Sequence, residues 1–165
     1  MKIELKNIKH SEFASHETNC YQATIYIDGK KVGTVENNGQ GGCDHVHPWQ
    51  VAQQIDEYAK TLPKTVCSFI DPETNKPAEM EQTHETIFGD ILTNWLMAKD
   101  LKKLMSKRIV FVKEDGIVYE TKALKAEQLK LNLNQGRLSE MLKAKTILNL
   151  LPFDQALTIY RGASS

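Results

Sequence analysis

Cysteine is scarce in this chain: Cys20, Cys43 and Cys67 form an odd set of three with no CxxC pair. That excludes a disulfide framework and points to reduced thiols in a cytoplasmic setting. Neither sign of charge is in excess. Lys plus Arg and Asp plus Glu each number 21, so the formal net charge is zero and nothing draws the whole chain toward nucleic acid or a membrane surface. A nucleic-acid binder would carry a basic excess and a nucleic-acid mimic an acidic one, so both classes are disfavoured. No apolar run approaches the roughly 20 residues of a membrane span. The start, Met1 to Lys6, alternates charged and apolar residues where a secretion signal would need an unbroken apolar core. The phosphate-loop pattern GxxxxGK[ST], internal repeats and low-complexity linkers are also missing. A basic group, Lys99, Lys102, Lys103, Lys107 and Arg108, has no aromatic platform beside it and suits the solvated side of an amphipathic helix. The 165 residues fit one domain.

What is present reads as an α+β chain. Polar and apolar residues alternate from Lys2 to Leu5 and fall out of phase at Ile8, which predicts a strand with an irregularity near Asn7. Tyr21, Ala23, Ile25 and Ile27 share one face of a second strand, Asp28-Gly29 supplies a tight hairpin turn, and Lys31 to Glu36 returns. Residues 1–36 are thus expected to form strands and a hairpin, and 37–48 a Gly/Cys/His loop. Pro48 then opens a helix with Val51, Ile55, Tyr58 and Leu62 on one face, closed by Pro63. Residues 49–107 are expected to be mainly helical, although Lys64 to Pro77 carries turn chemistry and no clear regular element. The strongest periodicity runs from about Met80 to Lys107, where Ile87, Ile91, Trp95, Ala98, Leu101 and Met105 trace one face with Phe88, Leu92 and Leu104 beside it. Trp95 is expected in the core. Gly89 within it suggests a close helix–sheet contact or a break.

Ile109 to Val112 is apolar on both faces, as in a strand covered on two sides, and Asp115-Gly116 repeats the hairpin signal, so 108–121 should be a hairpin. Residues 122–161 are expected to be helical. Leu129, Leu131 and Leu133 nevertheless alternate as in a strand. Leu138, Met141 and Leu142 mark a short helix, and Pro152 opens another with Phe153, Ala156, Leu157 and Tyr160 on one face. Hairpins without regular strand–helix–strand alternation imply an α+β fold, an antiparallel sheet built from β-hairpins with helices packed on it.

The chemistry is concentrated in the segment from Asn37 to Trp49, which holds three glycines, a thiol, a carboxylate and two imidazoles. Gly41, Gly42, Cys43, Asp44, His45, His47 and Trp49 are the candidate ligand-binding residues. Three chemistries compete for them. Cys43, His45 and His47 are zinc-type ligands, with Asp44, Cys20 or Cys67 to complete a tetrahedral set, but this spacing projects them to one side only in a strand-like segment. A glycine-rich backbone leading into a helix start can bind anions, yet Lys60 is the only cation between Val32 and Pro63. Cys43 can act as a nucleophile with His45 or His47 as base, although no third group orients that base. His84 and Glu85 read as a solvated helix end, because Phe88 interrupts any HExxH pattern.

Tyr26-Ile27-Asp28-Gly29-Lys30, the loop Asn38-Gly39-Gln40-Gly41-Gly42-Cys43-Asp44 ending in His47-Pro48, and Leu150-Leu151-Pro152-Phe153-Asp154-Gln155-Ala156-Leu157 resemble a group of small uncharacterised proteins of bacterial and phage genomes. The resemblance implies no activity. It implies a phage or mobile-element setting, where small neutral proteins act by binding host machinery, defence systems included. The expectation is a non-enzymatic accessory protein of the host cytoplasm that binds a protein partner or small ligand without a cofactor. A homodimer is compatible with it. The alternative is a small zinc- or cysteine-dependent enzyme using the 39–47 loop.

Overall fold

The computed structural model describes residues 1–70 and 72–163, with the side chains of Cys67 and Ser68 outside the description. The fold is α+β, with helices and antiparallel, hairpin-type sheets. The chain gathers into two compact units, residues 1–93 and 94–165. No helix among the described residues is long and apolar enough to cross a membrane.

The first unit begins with an antiparallel sheet in the order β1 (Ile3–Ser11), β2 (Cys20–Ile27), β3 (Lys30–Asn38), β4 (His45–His47). The irregularity expected near Asn7 is there: Asn7 takes a left-handed conformation and the β1–β2 register shifts between Lys6 and Lys9. Asp28 and Gly29 both have positive φ, as a tight hairpin turn requires. The predicted stripe of β2 is also found, with Tyr21, Ala23, Ile25 and Ile27 all buried.

The segment expected to be all loop is not, because His45–His47 joins the sheet as a fourth strand paired to Thr34, Val35 and Glu36 of β3. Gly33 makes this possible, since a side chain there would meet the His47 carbonyl and the Pro48 ring. Helix α1 (Trp49–Ala59) follows with Pro48 as its N-cap, one place earlier than the first helical position, and buries Val51, Ile55 and Ala59. Next comes a two-stranded hairpin, β5 (Thr65–Ile70) with β6 (Pro77–Met80), inside the stretch expected to be helical. Its apolar residues Val66, Phe69, Ile70 and Met80 are exposed, so no burial alternation marked it in the sequence.

Helix α2 (His84–Met105) is continuous through Gly89, and a side chain at Gly89 would meet nothing within 4 Å. Both expectations for that glycine fail, because the helix neither breaks nor needs the space. Gly89→Ala should therefore stabilise the protein by up to about 1 kcal/mol, the helix-propensity difference, in urea titration. A loss of stability would reveal a contact at this position.

The second unit centres on a three-stranded antiparallel sheet in the order β8 (Val118–Glu120), β7 (Val110–Val112), β9 (Thr146–Ile147). The central strand is covered on both faces, as its unbroken apolar run implies. Val110 and Val112 enter one cluster with Leu101, Leu148, Ala156 and Leu157, while Phe111 enters another with Ile109, Leu129, Leu138 and Ile147. The ambiguous leucines are helical. In α3 (Ala126–Leu133) Leu129 is buried and Leu131 exposed, so the apparent alternation was not a strand. After α4 (Leu138–Leu142), the two-residue β9 lies in a stretch expected to be helical, too short to show a period.

The final helix, α5 (Phe153–Ala163), places Ala156 and Leu157 in the cluster around Val110. Deleting the chain from Pro152 onward should therefore lower the melting temperature or the solubility of the protein. An unchanged melting temperature would mean that α5 does not hold this core.

Candidate functional site

The glycine loop is folded around one side chain, Asn37, which is buried at the end of β3. Its Nδ2 donates to the Gly42 carbonyl and to Asp44 Oδ1, both at 3.0 Å. Its Oδ1 accepts from the Thr18 hydroxyl and the Gly39 N–H, both at 2.9 Å. Gly39 has φ near +81°, and a side chain there would meet the Ala14 carbonyl, so this turn needs glycine. The Gly39 carbonyl in turn accepts the N–H groups of His16 and Glu17 at 3.0 Å. A loop that looks loose in sequence is thus fixed in shape by a satisfied polar network.

Asp44 is the second anchor. Tyr21, buried in β2, donates its hydroxyl to Asp44 Oδ2 at 2.6 Å, and the Asp44 N–H donates to Glu85 Oε1 at 3.1 Å. Burial, and then the Asp44 carboxylate, hold the Tyr21 phenol far above the usual tyrosine range. An unfolded chain releases that proton near pH 10 while the folded chain keeps it, so the unfolded state binds fewer protons and stability falls as pH rises above about 10. Urea titrations should show a steeper alkaline decline for the wild type than for Tyr21→Phe. Equal declines would mean that the phenol titrates freely in the folded protein.

Cys43, Asp44, His45, His47 and Trp49 line one open cleft of about 660 Å³, together with Asp56, His84 and Glu85. His45 and His47 project from the exposed face of β4 while Val46 between them is buried, as strand alternation dictates. Trp49, at the start of α1, is 60% exposed. Gly42 lies instead on a smaller neighbouring cleft with Cys43, Asp44 and Tyr21. Gly41 lines neither and donates its N–H to Thr18.

Glu85 is exposed, as the sequence suggested for this helix end, but His84 is not. The His84 side chain is 17% exposed, and Asp56 Oδ1 accepts both its backbone N–H at 2.7 Å and its Nδ1 at 2.8 Å. The ring also meets Phe88 edge-on. Asp56 and His84 are far apart in the chain, and no local spacing could have paired them.

The cleft has three carboxylates, Asp44, Asp56 and Glu85, and neither Lys nor Arg in its lining, which works against an anionic ligand. Among the described residues no three His, Cys, Asp or Glu side chains gather in a geometry able to hold a metal ion. His45 and His47 share a face, but Cys43 lies outside the strand. The Cys67 side chain, one of the suggested completions, lies outside the described residues. Comparison with protein-family models, curated proteins and solved structures finds no match.

Proposed function

We propose that this chain is a small binding protein that engages a protein partner or a small ligand through the cleft between β4 and the starts of α1 and α2. The observation that carries this reading is the convergence of five of the seven candidate residues on that one cleft, with Trp49 left exposed at its edge. A large exposed aromatic beside a concave, partly apolar surface is costly to leave in water, and it is the side chain most often found at the energetic centre of an interface. The fixed loop adds to this support, since a surface already ordered loses less entropy on binding. The setting we propose, a phage or mobile-element accessory protein acting on host machinery, rests on the resemblance of segments 26–30, 38–48 and 150–157.

Trp49→Ala tests the reading, because the side chain lies outside the buried core. The variant should keep the wild-type melting temperature and lose capture of whatever the wild type retains from host lysate, as identified by mass spectrometry. Retention of the same species by both proteins would remove Trp49 from recognition.

The alternative of a cysteine-dependent enzyme with His45 or His47 as base gains no orienting group, because the imidazole held by a carboxylate in this cleft is that of His84, bonded to Asp56.

A further inference from the structure

The sheet of the first unit ends at β1, and that edge is open. The Asp28 N–H donates to the Lys2 carbonyl at 2.8 Å, and bonded pairs alternate in an antiparallel ladder, so Ile3 and Leu5 turn their N–H and C=O groups away from β2. Among the described residues these groups meet no hydrogen-bond partner, since β1 pairs with β2 alone. Beside the edge lies a groove of about 240 Å³ whose lining includes Ile3, Tyr58, Leu62, Ile87 and Ile91, with Asp90 as its charged member. These apolar residues continue faces that are core elsewhere. Val51 and Ile55, which precede Tyr58 and Leu62 on one stripe, are buried, and so are Phe88 and Leu92 next to Ile87 and Ile91. At the groove the same faces are only half-buried. The core stops one strand short of covering its helices.

We propose that the β1 edge accepts an added β-strand, an extended segment of a partner protein with apolar residues on one side and acidic residues on the other. Each part of that description follows from the edge. Main-chain donors and acceptors left unpaired along a strand are matched by another strand, whereas a helix uses its own internally. The inward side chains of the incoming strand meet Tyr58, Leu62, Ile87 and Ile91, and Asp90 repels an acid at those positions. Its outward side chains stand beside Lys2, Glu4 and Lys6, where Glu4 is already bonded to both lysines at 3.1 and 3.7 Å. Two lysines to one glutamate favour acids across the strands and disfavour a second copy of the same edge. The register shift between Lys6 and Lys9 confines the acceptor to a few residues, the reach of a short linear segment. This surface shares no lining residue with the cleft, which lies at the β4 edge of the same sheet, so the two readings stand or fall separately.

The test uses the full chain and a fluorescein-labelled eight-residue peptide of alternating valine and glutamate. Anisotropy should show binding with a dissociation constant below about 1 mM. At saturation the Ile3 and Leu5 amides, unpaired in the free protein, should exchange with heavy water at least about 10-fold more slowly. Only one set of alternate peptide amides can face β1, so N-methylating the valine set and the glutamate set in separate peptides should weaken binding unequally, by about 10-fold or more between them. Lys2→Glu combined with Lys6→Glu should weaken the unmodified peptide by about 10-fold. Unchanged exchange at Ile3 and Leu5 with peptide at about 1 mM overturns the proposal. So does equal binding of the two methylated peptides, or undiminished binding by the lysine variant once circular dichroism shows it folded. If that variant does not fold, exchange and the methylated peptides decide on the wild type. Ile3 and Leu5 already protected in the free protein, together with a dimer in sedimentation, would make a second copy the strand donor and overturn the choice of a partner's segment.

Discussion

Phe88→Ala is expected to destabilise the protein by about 3–5 kcal/mol, the usual cost of emptying a large aromatic from a packed interior. Phe88 is fully buried, as is Leu92 one turn later, and its ring also meets the edge of His84. Truncation would remove transfer energy, leave a cavity and loosen the imidazole that Asp56 holds. Trp95 provides the contrast. It stands on the face expected from the sequence to be most buried, yet it is only partly buried, with the Lys99 ammonium 5.2 Å from its ring centroid. Trp95→Ala should cost about 1–2 kcal/mol, because a ring that keeps part of its surface in water has less burial to lose. Urea titrations of the two variants check the order, and a larger loss at Trp95 than at Phe88 would reverse the assignment of faces on α2.

Asn37→Ala is expected to have the next largest effect, about 2–4 kcal/mol, because several hydrogen bonds are lost and some of their partners are left part-buried without replacements. The side chain is 7% exposed and uses both ends, donating to Gly42 and Asp44 and accepting from Thr18 and Gly39. Asn37→Asp should be worse than alanine despite its similar shape. It would turn a carboxylate oxygen toward Asp44 Oδ1 and the Gly42 carbonyl, replacing two attractions by two repulsions. A loss below about 1 kcal/mol for Asn37→Ala would mean that the loop is held by something other than this hub.

The legible parts of the fold were those in which one side-chain period dominates. The β2 stripe, the Asp28-Gly29 turn, the two-sided β7 and the α5 face all follow from local alternation or turn chemistry. The β5–β6 hairpin did not, because its apolar residues face water and give no inside–outside contrast. Helix α2 was found, and Leu101 of its expected face is buried with Phe88 and Leu92 beside it, but Trp95 is only partly buried because apolar residues occupy more than one side of the helix. In the site, the Asn37–Trp49 segment stood out by composition. Its partners did not, because Tyr21, Asp56, His84 and Glu85 reach it only through the tertiary fold.

The most direct measurement is capture by a cleft variant whose fold is intact. His45, His47 and Trp49 all project from the surface, so His45→Ala, His47→Ala and Trp49→Ala combined should leave the melting temperature close to that of the wild type. Wild-type protein and this variant, immobilised in parallel, should be exposed to host lysate and to its small-molecule fraction, with everything retained identified by mass spectrometry. A species held by the wild type and lost by the folded variant is the result expected of a recognition cleft. The same species held equally by both would place recognition elsewhere on the molecule.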